Sequence, residues 1–344
     1  GGAGSLYEIC ANGVAAIAIP KANLPGDHQA ANARALERLD ALRVIYERVD
    51  LTQGHAVETV DAGELADLVL SLLNDSEQRE QMALNAHEQY DSNTTQLSAA
   101  LIDHLLGICP EPELNPEPEL NDERILGKNS TQLEKLLQRV RRGEETLSEE
   151  ELRIALYKID GYAAQGGLVM PARACRMIGE GQFYERLNVL HFFALNPKAS
   201  PFTRRDAMIG LRKMESADTT SVDVLLKGLK DKYFETVNEA LYALNILLMK
   251  HRSELEERFS EIETRIRPFL RSREYDQRMN AFGILVEIVD SWDAISADFR
   301  ANYFHPKWKL RKKLVSCFAQ LHSRGLLSEQ QLQEEFNKIL PTSN

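Results

Sequence analysis

Over residues 1–107 the hydrophobic positions switch repeatedly between a helical spacing and short unbroken runs. GGAGSLYEICANG sets Leu6, Ile9 and Cys10 on one helical face, with Ser5 as the capping residue and Gly13 closing the helix. VAAIAI (14–19) is a continuous apolar run that Pro20 ends, as expected for a strand buried on both faces of a parallel sheet. After the loop KANLPGD, HQAANARALERL predicts a helix with Ala30, Ala33, Leu36 and Ala35 on its buried side, and RVIY predicts another strand. DAGELADLVLSLLNDSEQREQMALNAHEQY adds closing helices, so residues 1–107 read as an α/β domain.

From residue 129 to residue 344 the spacing is helical, with no convincing strand. Between the two parts, within 108–128, PEPELNPEPELNDER holds six acids and one arginine from Glu111 to Arg124. Regular prolines and self-repulsion make it a stiff, solvated, acidic linker. The helical part repeats loosely. FTRRDAMIGLRKM, FETVNEALYALNIL, YDQRMNAFGILVEI and WKLRKKLVSCFAQL each put a charged turn before a small residue, and Ala207, Ala240, Ala281 and Val315 then lie 33, 41 and 34 residues apart. Each unit reads as the second helix of a hairpin whose first helix is also apolar, as in SVDVLLKGLKD. A lone hairpin of this kind cannot bury its stripe, so the pattern predicts a right-handed stack over residues 150–340. In period it resembles HEAT-like or armadillo-like repeats; an irregular helical bundle has the same hydrophobic periodicity. The stripe of Leu241, Leu244, Leu248, Phe282, Leu285 and Ile288 is predicted core.

Composition narrows the function classes. The chain is 43% hydrophobic and 27% charged, with no apolar stretch of spanning length and no basic region leading into an apolar one at its start. A formal net charge of -11 argues against general nucleic-acid affinity. Cys10, Cys109, Cys175 and Cys317 form no CxxC pair, which fits reduced thiols in the cytoplasm and no zinc. His55, His87, His104, His191, His251, His305 and His322 show no metal-ligand spacing. The run HPKWKLRKK would suit anionic headgroups or nucleic acid, but the expectation is that Trp308 and Leu310 pack inward while the lysines are solvated.

In a parallel sheet, ligands lie outside the carboxyl ends of the strands, where helix N-termini converge. Two segments face that crevice: Gly2, Ala3, Gly4 and Ser5 with Glu8 one turn on, and His28 and Gln29 with Asn32 one turn on. Backbone donors for an anion, a carboxylate for ribose hydroxyls and amides for sugar hydroxyls describe a nucleotide-sugar site. Read alone, Glu8 is an ordinary solvated charge on a first helical turn, and His28 can be read as a surface residue at a helix start. An amide pair spaced i, i+3 at a helix start is harder to explain by packing.

The order G-A-G-S-x-x-E, G-x-x-x-I-x-I-P and H-Q-x-x-N-A-x-x-L resembles the C-terminal, donor-binding domain of family 28 glycosyltransferases, in particular the MurG-type UDP-N-acetylglucosamine transferases of peptidoglycan synthesis. The resemblance covers residues 1 to about 92. It implies a partial Rossmann-like half of a GT-B fold followed by the all-α repeat region. It also implies a hexosyltransferase that moves N-acetylglucosamine from a UDP-sugar with inversion, needing no metal and no cofactor beyond that co-substrate. Gly2, Ala3, Gly4 and Ser5 would lie against the diphosphate, Glu8 would hold the ribose, and His28, Gln29 and Asn32 would contact the sugar hydroxyls. The acceptor would be a lipid-linked sugar at the inner membrane face, which makes the protein cytoplasmic and peripheral to the membrane. Family members usually carry proline where this chain has Ala15. By the same resemblance the acceptor domain and the general base lie upstream of the position matched by Gly1. The chain is therefore expected to be a fragment, incomplete and inactive alone, with its catalytic residue unassigned. The alternative is a non-catalytic helical-repeat scaffold that keeps a remnant donor-binding half and takes a protein partner through its repeats.

Overall fold

The computed structural model describes residues 2–52, 54–90, 107, 124–215 and 219–339, so most of the acidic linker, with His104 and Cys109, lies outside the described residues. The chain divides into two compact units, Gly1–Gly166 and Gly167–Asn344.

The first unit opens with α1 (Ala3–Asn12), which ends at Gly13 in the left-handed region (φ 55°). Its start differs from the sequence expectation. Ser5 lies inside the first turn, and Gly2, in extended conformation, is the N-cap residue with no side chain to offer. The Leu6 N–H already donates to the Gly2 carbonyl at 3.1 Å, because the small residues Ala3 and Gly4 let the helix begin two residues before a serine could cap it.

Strands β1 (Ile17–Ala18) and β2 (Arg43–Val44) pair in parallel, Ile17 opposite Arg43 and Ala18 opposite Val44, with α2 (His28–Glu37) as the crossover. Ala30 and Ala33 are buried as expected, whereas Leu36 and Ala35 are only half-buried. Arg34 takes the remaining buried place on that face through an ion pair with Glu150.

A short antiparallel pair, β3 (Arg48–Asp50) and β4 (Val57–Thr59), was not anticipated. Its turn is built by Asp50, whose carboxylate accepts from the Thr52 N–H at 2.9 Å, and by Gly54 at φ 72°. Helices α3 (Ala62–Asn74) and α4 (Ser76–Glu88) follow, capped by Asp61 and Asp75. Helices α5 (Ser130–Arg141) and α6 (Glu149–Ala164) each start with a full capping box, Asn129 with Gln132 and Ser148 with Glu151.

Packing and composition divide the chain differently. Composition separates the helical part at residue 129, yet α6 packs on β3 and β4 within the first unit. The reason lies on one face of α6, where Arg153, Tyr157 and Gly161 follow at i, i+4 and i+8 and each meets the α/β segment.

The second unit is helical throughout its described residues. It runs through α7 (Met170–Gly181), α8 (Leu187–Leu195), α9 (Pro201–Lys213), α10 (Thr219–Gly228), α11 (Phe234–His251), α12 (Phe259–Ile266), α13 (Tyr275–Ile288), α14 (Asp293–Arg300), α15 (Trp308–Ser323) and α16 (Glu329–Ile339). Every second helix, from α7 to α15, packs against the next, and the intervening α8, α10 and α12 return along them.

Ion pairs show that α9 and α11 run parallel. Arg204 grips Asp231 with two hydrogen bonds of 2.6 and 3.0 Å, Arg205 meets Glu235 at 2.6 Å, and Arg212 meets Glu239 at 3.2 Å. The predicted apolar stripe is core, with Leu241, Leu244, Leu248, Phe282 and Leu285 fully buried. Ala207, Ala240 and Ala281 are equally buried, but the fourth buried position is Leu314, one residue before Val315.

At the end of this unit the carboxylate of Glu335 accepts from Arg300 at 2.7 Å, from Lys338 at 2.9 Å and from the Tyr303 hydroxyl. Burial alone would raise its pKa, but the hydrogen bonds from Arg300, Tyr303 and Lys338 outweigh burial and lower it from 4.5 to about 2. The unfolded chain thus binds this proton more readily than the folded one. The contribution is complete above pH 4.5 and disappears as pH falls towards about 2. Glu335→Gln is expected to lower stability at neutral pH and to flatten its dependence across that window. Urea titrations followed by tryptophan fluorescence at stepped pH check this; an unchanged slope would refute it.

Candidate functional site

The order α1–β1–α2–β2 with β1 and β2 parallel is the connectivity in which helix starts collect at the carboxyl ends of the strands, and α1 packs against α2. On α1, Ala3, Gly4, Ser5 and Glu8 are exposed and Gly2 is half-buried. A methyl group added at Gly2 or Gly4 would meet nothing within 4 Å, so this turn is open. On α2, His28 and Asn32 are exposed, while Gln29 is half-buried and its side-chain oxygen accepts from the Lys21 N–H at 3.2 Å. All eight predicted residues thus lie at or within two turns of the starts of α1 and α2, two helices that pack together, and Gln29 also braces the loop before its helix.

That loop, from Pro20 to Asp27, carries the sharpest backbone of the unit. Asn23 (φ 57°), Gly26 (φ 70°) and Asp27 (φ 52°) all occupy the left-handed region, which costs a non-glycine residue about 1–2 kcal/mol. Asp27 stands where a helix N-cap belongs, yet its side chain does not cap α2. The carboxylate turns away to the buried ammonium of Lys158 and accepts from the Gly127 N–H at 2.9 Å.

Around this pair, Tyr157 donates to the Pro20 carbonyl at 3.1 Å, and Asn23 donates to the Lys158 carbonyl at 3.3 Å. Lys21 is tied to Glu47 and Glu58. On the β2 side, Arg153 donates to the Val44 carbonyl at 2.9 Å and lies 4.8 Å from the centre of the Tyr46 ring. Burial raises the pKa of both the Tyr157 and Tyr46 hydroxyls, that of Tyr157 strongly.

Asp27, Tyr157 and Lys158 were not singled out in the sequence. The available signals were an aspartate immediately before a helix start and a lysine inside the apolar run IALYKIDGYAA.

Family comparison decides what this geometry belongs to. The profile described as glycosyltransferase family 28 C-terminal domain matches residues 1–97. Residues 1–97 are a MurG-type family 28 glycosyltransferase C-terminal domain. The UDP-N-acetylglucosamine--N-acetylmuramyl-(pentapeptide) pyrophosphoryl-undecaprenol N-acetylglucosamine transferases of two strains of Acidithiobacillus ferrooxidans are 36% identical over 99 residues, which is 29% of this chain and 25% of theirs. The chain spans about a quarter of the length of the curated relatives it matches. No solved structure matches at the same stringency. The family 28 match stops before α5, so the helix that holds the Pro20–Asp27 loop comes from outside the matched domain.

Other features of the family 28 unit do not join the site. A cleft of about 760 Å³ beside β2 and the start of α3 is lined by Arg43, Arg48, Asp61, Glu64 and Arg153 among others, and by none of the predicted site residues. Its charges are largely spent on one another, Arg48 pairing with Glu64 at 2.5 Å and with Asp61 at 3.6 Å. In the helical unit Leu310 is buried as expected, but Trp308 is 59% exposed, against the expectation that it packs inward. It is the first residue of α15, with no helical turn ahead of it to cover its side chain. Among the described residues no group of three or more His, Cys, Asp or Glu is placed to hold a metal, and no helix is long and apolar enough to cross a membrane. Burial pushes the Cys317 thiol up to about 12, so it is an inert packing residue.

Proposed function

We propose that the first unit binds the donor of a hexosamine transfer, UDP-N-acetylglucosamine. What supports this reading is the family 28 match over residues 1–97 together with the exposed starts of α1 and α2, which bear the candidate residues. The backbone N–H groups of Gly2, Ala3, Gly4 and Ser5 and the positive end of α1 would hold the diphosphate and stabilise the departing UDP, the role a metal plays elsewhere. Glu8 would accept the ribose hydroxyls, and His28, Gln29 and Asn32 would read the sugar. Transfer proceeds with inversion to an acceptor such as a lipid-linked sugar, at the cytoplasmic face of the membrane. The general base is unassigned.

In this reading residues 1–107 are the donor-binding domain and 108–128 the linker. Residues 129–344 are then a HEAT-like array whose surface serves a protein partner, with α5 and α6 lent to the donor domain. Side-chain pairs that recur along the row, Lys213 with Glu180, Arg205 with Glu235 and Gln320 with Glu287, support a repeat array over an irregular bundle.

Isothermal titration of UDP and UDP-N-acetylglucosamine tests the site. Glu8→Ala is expected to weaken both ligands about tenfold or more, and Asn32→Ala to weaken the sugar nucleotide alone by about tenfold. Unchanged affinity in both variants removes the proposal.

A further inference from the structure

We infer that Tyr157 and Lys158 of α6 are positioning residues for the sugar half of the donor site, holding the Pro20–Asp27 loop and keeping the Asp27 carboxylate off the start of α2. The inference rests on the donor-site reading above and extends it to a helix outside the family 28 match.

The loop needs an external hold. Two of its non-glycine residues, Asn23 and Asp27, sit in the left-handed region, a conformation that persists only where surrounding contacts over-determine it. Those contacts come from α6 and the turn before α5. Tyr157 donates to Pro20, Lys158 binds Asp27 and offers its carbonyl to Asn23, and Gly127 donates to Asp27. Gly161 lets α6 approach so closely that an added methyl group would lie 2.7 Å from the Ala22 side chain.

The consequence for ligand binding follows from hydrogen-bond competition. An aspartate at an N-cap ordinarily accepts from the backbone N–H groups of the first helical turn. Here the ammonium of Lys158, itself 1% exposed, draws the Asp27 carboxylate away, and Asp27 makes no capping bond to α2. The backbone N–H groups that open α2 are thereby not taken up by the Asp27 carboxylate. With Lys158 replaced, that carboxylate is expected to seek donors nearer the α2 start, in competition with the sugar.

The test uses the 344-residue chain with UDP and UDP-N-acetylglucosamine as probes. In Lys158→Met, the affinity for the sugar nucleotide is expected to fall about tenfold relative to UDP, with UDP itself changed less than about twofold. Lys158→Arg should restore most of the ratio. Tyr157→Phe, which removes a single hydrogen bond and keeps the ring, is expected to lower the ratio about threefold if Lys158→Met does not fold. A ratio unchanged in Tyr157→Phe, or both ligands weakened equally in a folded Lys158→Met, overturns the inference.

Amide hydrogen exchange over residues 20–29 provides a second, ligand-free readout. Faster exchange there in Tyr157→Phe, without faster exchange in α3 and α4, supports the hold on the loop; unchanged exchange refutes it. If the parent chain binds neither nucleotide, the donor-site reading has failed and exchange alone decides the hold by α6.

Discussion

Asp27→Ala is expected to destabilise the first compact unit by about 3–5 kcal/mol, the range for stranding one partner of a buried ion pair. Lys158 is 1% exposed and Asp27 is 5% exposed, so neither charge regains water when the other is removed. After the substitution the ammonium keeps only the Lys128 carbonyl, at 2.6 Å, and the Gly127 N–H loses its acceptor. The same change at an exposed pair would cost about 0–1 kcal/mol, so the magnitude itself reports the burial. Removing both charges, in Asp27→Ala with Lys158→Met, should cost less than Asp27→Ala alone, since no uncompensated ion is left inside. Both tryptophans, Trp292 and Trp308, belong to the second unit, so the loss must appear in hydrogen exchange or far-UV circular dichroism while tryptophan fluorescence stays unchanged. A single-variant loss below about 1 kcal/mol would show that water reaches the pair.

In the second unit the largest effect is expected from Gly179→Val, a loss of about 3 kcal/mol, at the top of the range for overpacking a tight contact. Helices α7 and α9 cross with backbone against backbone. A methyl group at Gly179 would lie 2.5 Å from the Gly210 carbonyl oxygen, and one at Gly210 would lie 2.6 Å from the Cys175 carbonyl oxygen. Neither obstacle is a side chain that can rotate aside, so the helices must separate. The salt bridge from Lys213 to Glu180 at the same crossing would be pulled apart with them. Replacing a mid-helix glycine ordinarily gains about 0.5–1 kcal/mol of helix propensity, which is smaller than the steric loss and does not reverse the sign. Urea unfolding followed by tryptophan fluorescence measures this directly. A stabilised variant would mean that α7 and α9 do not touch at these glycines.

Much of the local structure around the candidate residues was legible because it is set by neighbouring sequence. Gly13 reads as the end of α1 from its left-handed preference, and Ala30 and Ala33 read as the buried face of α2 from their spacing. The candidate residues from Gly2 to Asn32 fall on two helix starts, whereas of the apolar run 14–19 predicted as a strand buried on both faces only Ile17–Ala18 pairs and Val14 is exposed, since a two-stranded sheet has too few neighbours to bury the rest. What failed was read one residue at a time. Ser5 has the chemistry of a cap, but the glycine and alanine ahead of it let the helix begin earlier. The β3–β4 pair is too short for a convincing alternation, and it is held by α6, which lies far along the chain.

The amino-acid order alone determined the helices of the first ninety residues, the helical character of the described residues after the acidic linker, the core stripe from Leu241 to Ile288 and the resemblance to family 28 over residues 1–97. These follow from periodicity and local backbone preference, which operate over a few residues. Only the tertiary structure decided that α6 belongs to the first unit, that Asp27 meets Lys158 across 131 positions instead of capping its own helix, and that Trp308 faces outward. Such outcomes depend on which distant groups are buried together. A charge withdrawn from water takes the partner that the fold brings to it, and nothing in its neighbouring residues names that partner beforehand.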